Sequence, residues 1–404
     1  MRVVVSGLAA TYPYGGVFWD YIQYLIGFRQ LDCDVLYVED TGQWNYDPEA
    51  GTFTESGARN AACLAGELAR LDTGLADCFF MRDPTGETFG RPWPEVREFC
   101  RSADLFLNVS ASCILREEYL AAKRVALIDS DPMYTQSSVP NYLDGSAGEE
   151  ERARLDAMRE HHQLFFTFGE NIGAPDCLVP DRLFDWIPTR QPVAVDLLAS
   201  RSLPVEDRRQ VLTTVASWET KEGGPTVDGI PYYGKNHEFR AFIDLPQASS
   251  LPLEVALSGN APRAELARHG WRIVDPLPVS RRPDDYIAYL GNSLGEFSVA
   301  KHAYAASNSG WFSCRTACYL ALGVPAVVEE TGFSRYLPTG EGLFSFTDRD
   351  SALAGVDAIR SAPTFHAEAA AELARSHFEA KTVLAKLLDA ASDVQRGKER
   401  SASC

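Results

Sequence analysis

The stretch Ser309-Gly310-Trp311-Phe312-Ser313-Cys314-Arg315, leading into Ala321-Leu322-Gly323-Val324-Pro325-Ala326-Val327-Val328-Glu329-Glu330-Thr331-Gly332, decides the fold. It reads as a turn, a helix, a tight stop and a buried strand. Ser313 is a good N-cap, because its hydroxyl can accept a hydrogen bond from an orphan amide of the first helical turn. Gly323 stands where a left-handed C-terminal stop belongs. Val324 to Val328 form a short apolar run, and Glu329-Glu330-Thr331-Gly332 make a charged turn after it. A turn of small residues entering a helix N-terminus offers free N–H groups and partial positive charge, which suits a diphosphate. The turn after the next strand is expected at the same edge of the sheet, where open α/β sheets bind ligands. Arg315 falls in the first turn of the helix, where a cation opposes the macrodipole by a few tenths to about 1 kcal/mol. A bound anion would relieve that conflict.

Outward from this stretch the chain shows two α/β halves. The first opens with a strand at Val3–Ser6 and a loop containing Tyr12-Pro13-Tyr14-Gly15-Gly16. A helix from Val17 to about Gln30 follows, with Phe18, Ile22, Leu25 and Ile26 on one face, and then a strand at Asp34–Val38. Strand, glycine turn, helix and strand in about forty residues make a βαβ unit with parallel strands. A dinucleotide fold would need Gly-x-Gly-x-x-Gly directly after the first strand. Gly7 is followed by Leu8-Ala9-Ala10, so the spacing fails and NAD is not expected.

Further strands are predicted at Leu105–Val109 and Val125–Ile128, the latter ending in Asp129-Ser130-Asp131-Pro132. Acids at the carboxyl end of a parallel strand face the crevice. Ser146-x-x-Glu149 reads as a capping box for a helix running to about His162. Asp185 to Ser202, with Trp186-Ile187-Pro188-Thr189-Arg190-Gln191-Pro192, reads as a proline-punctuated extended linker. The second half restarts with a strand at Gln210–Ala216. A loop from Gly223 to Lys235 follows, then strands at Leu253–Ser258 and Trp271–Val274 and a short helix at Pro283–Leu290. Glu296 and Lys301 precede the opening stretch and read either as an ion pair or as lining of the sugar pocket. Helices are expected from Arg349 to about Arg360 and from Pro363 to about Ala391, with a frayed tail from Arg396 to Cys404.

Gly310-Trp311-Phe312-Ser313, then Gly323-Val324-Pro325-Ala326-Val327-Val328, then Glu329-Glu330 resembles the donor loop of nucleotide-sugar-dependent glycosyltransferases of the two-Rossmann-domain, GT-B type. Asn308-Ser309 stands where many relatives carry a His, and Cys318 where many carry the Glu that holds the ribose. The resemblance implies an α/β fold with two Rossmann-like domains facing a central cleft. It implies an acceptor domain over 1–190, a donor domain over 191–375, and a helix over 376–404 crossing back to the first domain. It implies a nucleotide-diphosphate sugar donor held by Gly16, Lys235, Ser309, Gly310, Trp311, Ser313 and Arg315, with Glu330, Thr331 and Gly332 on the sugar. Gly15, Asp129 and Asp131 would face a small-molecule acceptor, and Asp131, Lys235 and Arg315 carry the catalytic expectation. An epimerase or a non-catalytic nucleotide-sugar-binding protein of the same fold is the alternative. Asp129-Ser130-Asp131 also looks like the metal-binding Asp-x-Asp of the other large glycosyltransferase fold. That fold has one nucleotide-binding domain, and the second α/β half argues against it. No metal and no cofactor are expected.

Composition bounds the rest. At 404 residues with 45% hydrophobic content, the chain can fill two cores. No stretch approaches the ~18 apolar residues of a membrane span. A net charge of −18 argues against nucleic acid and anionic membranes as partners. Nine scattered cysteines, mostly in apolar runs, read as reduced, cytoplasmic usage; Cys314 and Cys318, four apart, read as core thiols.

Overall fold

The structure, a computed structural model, describes residues 1–71, 74–219 and 224–402, with side chains as far as Ser392. Two parallel sheets organise it. The first has strands β1 (Arg2–Ser6), β2 (Asp34–Asp40), β3 (Phe79–Arg82), β4 (Thr88–Gly90), β5 (Leu105–Val109), β6 (Val125–Asp129), β7 (Leu164–Thr167) and β8 (Trp186–Pro188), in the order β8-β7-β6-β5-β1-β2-β3-β4. Only β4 runs antiparallel. The chain moves one way from β1 to β2 and returns on the other side at β5, so a crevice opens at the carboxyl end of β1. Helix α1 (Gly15–Gln30) crosses one face and buries Phe18, Trp19, Ile22 and Leu25.

The second sheet has β9 (Arg209–Ser217), β10 (Leu253–Ser258), β11 (Arg272–Val274), β12 (Ser293–Ser298), β13 (Ala326–Glu329) and β14 (Leu343–Phe346), in the order β11-β10-β9-β12-β13-β14. Its switch point lies between β9 and β12. Around it stand α2 (Lys235–Ala241), α3 (Pro283–Gly291), α4 (His302–Ala305) and α5 (Cys314–Ala321). Gly323, at φ +65°, ends α5 as expected: its N–H bonds Leu320 O at 2.9 Å, and Val324 N–H bonds Tyr319 O at 2.9 Å.

Several local expectations are corrected. Ser313 takes the extended N-cap backbone but makes no side-chain cap bond. The helix after Ser146 begins at Glu149 with Gly148 as its N-cap, so no capping box forms. The segment expected as a linker is packed: Trp186–Pro188 is the edge strand β8, and Val193, Ala194, Val195 and Leu198 are buried. The glycine-rich loop before Lys235 contains a short hairpin, Thr226–Val227 with Ile230–Pro231; Gly223 lies outside the described residues.

The single terminal helix divides into α6 (Pro363–Phe378) and α7 (Ala380–Ala402). The break is where the backbone pairs with the connection between the sheets: Val193 N–H bonds Phe378 O and Ala380 N–H bonds Val193 O, both at 2.8 Å. The backbone from Arg396 to Ala402 continues α7, and 403–404 lie outside the described residues. α7 returns to α1, where Gly27 leaves room for Ala380 and Leu384; a Cβ there would lie 2.7 and 2.6 Å from their side chains. One apolar core therefore runs from the first sheet through α1 and α5 to both terminal helices. No helix among the described residues is long and apolar enough to cross a membrane.

Candidate active site

The carboxyl edges of both sheets face a cavity of about 730 Å³. The first domain lines it with Tyr14, Gly16, Val17, Asp20, Tyr46 and Asp131; the second adds Lys235, Lys301, Trp311, Ser313, Cys314 and Arg315. Of the residues expected from sequence, the fold thus gathers Gly16, Asp131, Lys235, Trp311, Ser313 and Arg315 around one space.

Lys235 opens α2 behind Gly234 and makes no ion pair among the described residues. Burial pushes its ammonium well below the usual lysine range, and neighbouring Arg315 adds to the fall, while the carboxylates of Glu296 and Glu329 pull the other way. An anion entering the cavity would favour the charged form. Arg315 is anchored more firmly. Its Nε donates to Glu296 Oε1 at 2.7 Å, one Nη to Val215 O at 2.9 Å, and the other to Ser298 Oγ. Glu296 is fully buried and is the counter-charge that resolves the macrodipole conflict, in place of the anion that the sequence argument invoked. It pairs with Arg315, not with Lys301 as the ion-pair reading expects. A guanidinium has five N–H groups, so two remain for a ligand.

Lys301 reaches across the cleft and donates to Asp131 Oδ1 at 2.6 Å, and the Tyr304 hydroxyl donates to the same oxygen. Burial pushes the Asp131 carboxyl up, but Lys301 and these hydrogen bonds outweigh it and hold it below the usual range. Asp131 is therefore an ionised bridge between the two halves.

Other expected residues lie elsewhere. Asp129 is 2% exposed and fully engaged: Thr135 Oγ1, Gln136 Nε2 and Thr167 Oγ1 donate to it at 2.7, 2.7 and 2.9 Å. It braces the loop after β6 and does not reach the cavity. Gly15 packs against α3 and its cap, where a Cβ would sit 2.6 Å from both Arg282 O and Tyr286 Cβ. Ser309 is buried. Gly310, at φ +79°, lies so close to the first domain that a Cβ would stand 2.5 Å from the Asn171 amide nitrogen. Asn171 N–H donates to Ser309 O at 3.1 Å, so this turn clasps the first domain. Glu330 Oε1 accepts from the Thr331 and Gly332 amides at 3.1 and 2.7 Å, and Thr331 Oγ1 donates to Trp311 O at 2.5 Å. That turn satisfies itself outside the cavity because its carboxylate folds back on its own amides.

Sequence reasoning missed Asp20, Tyr46 and the role of Lys301. It also passed over His237, Glu238 and His302, whose ligand-type atoms lie within 4.8 Å of one another. His302 Nδ1 accepts from Tyr233 N–H at 3.1 Å, which puts the proton of the neutral ring on Nε2, facing Glu238. Tyr233 stacks on His237 at 4.6 Å. In that tautomer His302 turns an N–H, not a lone pair, toward Glu238, so the cluster is held by hydrogen bonding and ring stacking.

No family model and no curated protein matches this sequence. Solved structures do resemble it. An alpha-glucosyltransferase in complex with UDP and a 13-mer DNA containing an HMU base matches with TM-score 0.56 and 11% identity, over 96% of this chain and 98% of that one. AviGT4, a glycosyltransferase involved in avilamycin A biosynthesis, matches with TM-score 0.51 and 11% identity, over 98% and 97%. A glycosyltransferase from Rickettsia africae matches with TM-score 0.50 and 10% identity, over 98% of each chain. The DNA in the first of these overturns the expectation that nucleic acid is excluded. A net charge of −18 does not bar DNA from this architecture, because local cations at a cleft, not the total, meet phosphates. Two parallel sheets joined by a shared core, with a cleft at both switch points, give this chain the GT-B fold of nucleotide-sugar-dependent glycosyltransferases.

Proposed function

We propose that the chain transfers a sugar, of the hexose class, from a nucleoside diphosphate to an acceptor hydroxyl. One observation carries the reading: Lys235, Lys301 and Arg315 converge on a single cavity where the carboxyl edges of both sheets meet. The diphosphate sits against Lys235 and the two free N–H groups of Arg315. The base lies toward Ser258, Gly259 and Asp275, at the ends of β10 and β11. In transfer, the bond from the anomeric carbon to the diphosphate breaks and its electron pair leaves with the diphosphate. Cations fixed before the reaction stabilise that charge without reorganisation, so the leaving group needs no metal. The acceptor enters past Tyr14 and Tyr46, whose rings lie 5.5 Å apart. The abundance of aromatic side chains in the N-terminal loops favours a planar or sugar-like small molecule. Buried free thiols such as Cys100, Cys113 and Cys318 suit the cytoplasm.

Thermal shift against UDP, dTDP and GDP species, with NAD as control, tests the reading. A shift with one nucleoside diphosphate and release of sugar from its conjugate support it. Acceptors should include hydroxylated small molecules and DNA carrying an HMU base. No shift with any nucleoside diphosphate, or a shift with NAD alone, refutes the reading.

A further inference from the structure

We propose that Asp20 is the catalytic base that takes the proton of the attacking hydroxyl, an inference that rests on the sugar-transfer reading. Asp20 is the only acid of α1, and Gly16, Val17 and Asp20 place one helical stripe on the cavity. It faces the cationic seat from the opposite domain. Four carboxylates line the cavity: Asp20, Asp131, Glu219 and Asp275. Asp131 is committed to Lys301 and Tyr304. Asp275 caps a helix by accepting from Leu277 N–H at 3.0 Å. Glu219 follows β9, on the nucleotide side. Asp20 alone is both on the acceptor side and free of a cation, since Arg315 is held by Glu296.

The surroundings fit the role. The Cys314 thiol donates to the Asp20 carboxylate, and Asp131, Arg315, Cys318 and Tyr286 face it from the other elements, with Tyr21 and Tyr24 on its own helix. Asp20 is exposed to the water of the cavity. Although its surface meets the cavity water, the protein crowded around the cleft raises the carboxyl to about 7; the thiol hydrogen bond and Arg315 oppose that rise, and Asp131 adds to it. Neighbouring Asp131 is shifted the other way. Two acids in one site with environments that push them apart is the arrangement acid–base chemistry uses. In the step, the acceptor O–H bond breaks and its proton passes to Asp20. The oxygen bonds the anomeric carbon, the diphosphate departs with the electron pair of the broken bond, and the proton later leaves Asp20 for water.

Water can serve as the acceptor, so the test needs no acceptor identity. Sugar release from the nucleotide sugar giving the largest thermal shift is followed from pH 5 to 9. The wild-type rate should rise about tenfold per pH unit and level above about 7. Asp20→Asn should lose at least about 100-fold in kcat and lose the acidic limb. It should bind the nucleoside diphosphate within about twofold, and unfold close to wild type, since the side chain is exposed to the cavity. Asp20→Glu should keep a limb, displaced in pH. Asp20→Asn within about fivefold of wild-type kcat, with the limb unchanged, overturns the proposal. So does a wild type that binds the nucleotide sugar and never hydrolyses it. A wild type that binds no nucleoside diphosphate instead refutes the sugar-transfer reading beneath it.

Discussion

Removing the guanidinium at position 315 while keeping its bulk is the sharpest probe of how the cationic seat is built. In Arg315→Met, Glu296 stays fully buried, and its Oε2 already lacks a partner. Arg315 is itself 12% exposed, so the pair sits in low dielectric. Breaking a buried pair by deleting one member costs about 3–5 kcal/mol, because the surviving charge is left uncompensated. At the lower end, about 3 kcal/mol, the midpoint of a domain of this size falls by roughly 6–12 °C. Glu296→Gln with Arg315→Met should recover about 2 kcal/mol relative to the sum of the single changes, as coupled neighbours do. Scanning calorimetry at pH 8, with and without UDP, measures all of this. A single variant that melts within about 1 °C of wild type at pH 8 would refute the claim that Glu296 depends on Arg315. Unchanged UDP affinity would remove Arg315 from the diphosphate seat.

Three other outcomes are expected. Lys235→Met should weaken nucleoside diphosphate binding by about tenfold or more in titration calorimetry. It should also raise the melting midpoint of the free protein near pH 7, because the folded state disfavours this ammonium, a penalty that is full below the lowered folded-state value and fades only as pH climbs to the ordinary lysine range of the unfolded chain. Gly310→Ala should destabilise by about 1–3 kcal/mol in denaturant unfolding, since φ is +79° and the added Cβ would meet the Asn171 backbone. His162 is buried and burial lowers it to about 4, so its neutral form contributes stability above about 6.5 that is lost as pH falls through 4. Acid unfolding of His162→Gln should lack about 3 kcal/mol of wild-type pH dependence between those limits.

The parts of the fold that were legible had local punctuation. Gly323 and the apolar Val324–Val328 run announce a helix stop and a strand, and both are where the reading put them. The central strand β12 escaped because Ser293-Leu294-Gly295-Glu296-Phe297-Ser298 carries polar residues that only tertiary partners can satisfy: all six are buried, and Glu296 and Ser298 meet Arg315. Trp186–Pro188 was read as extended, which it is, but its pairing with β7 is a distant event that no local pattern encodes. At the site, Lys235 and Arg315 could be found from their positions after a strand and in a helix turn. Asp20 could not, because a lone acid on an amphipathic helix reads as a solvent-facing residue, and only the tertiary fold shows that the solvent it faces is the cleft. Glu330–Gly332 were assigned to the cavity because they follow a parallel strand at the ligand-binding edge and match the acid turn of the family they resemble. The direction in which that carboxylate turns is fixed by amides one and two residues ahead of it.

The return of α7 to Gly27 has a consequence for how the polypeptide matures. As the nascent chain leaves the ribosome, the first sheet can form early, yet the groove on α1 stays open until Ala380 and Leu384 emerge. The amino-terminal lobe therefore waits for a segment synthesised long after it. Ribosome-stalled chains ending before Ala380 should remain protease-sensitive across α1, and releasing a few dozen further residues should close that window in one step.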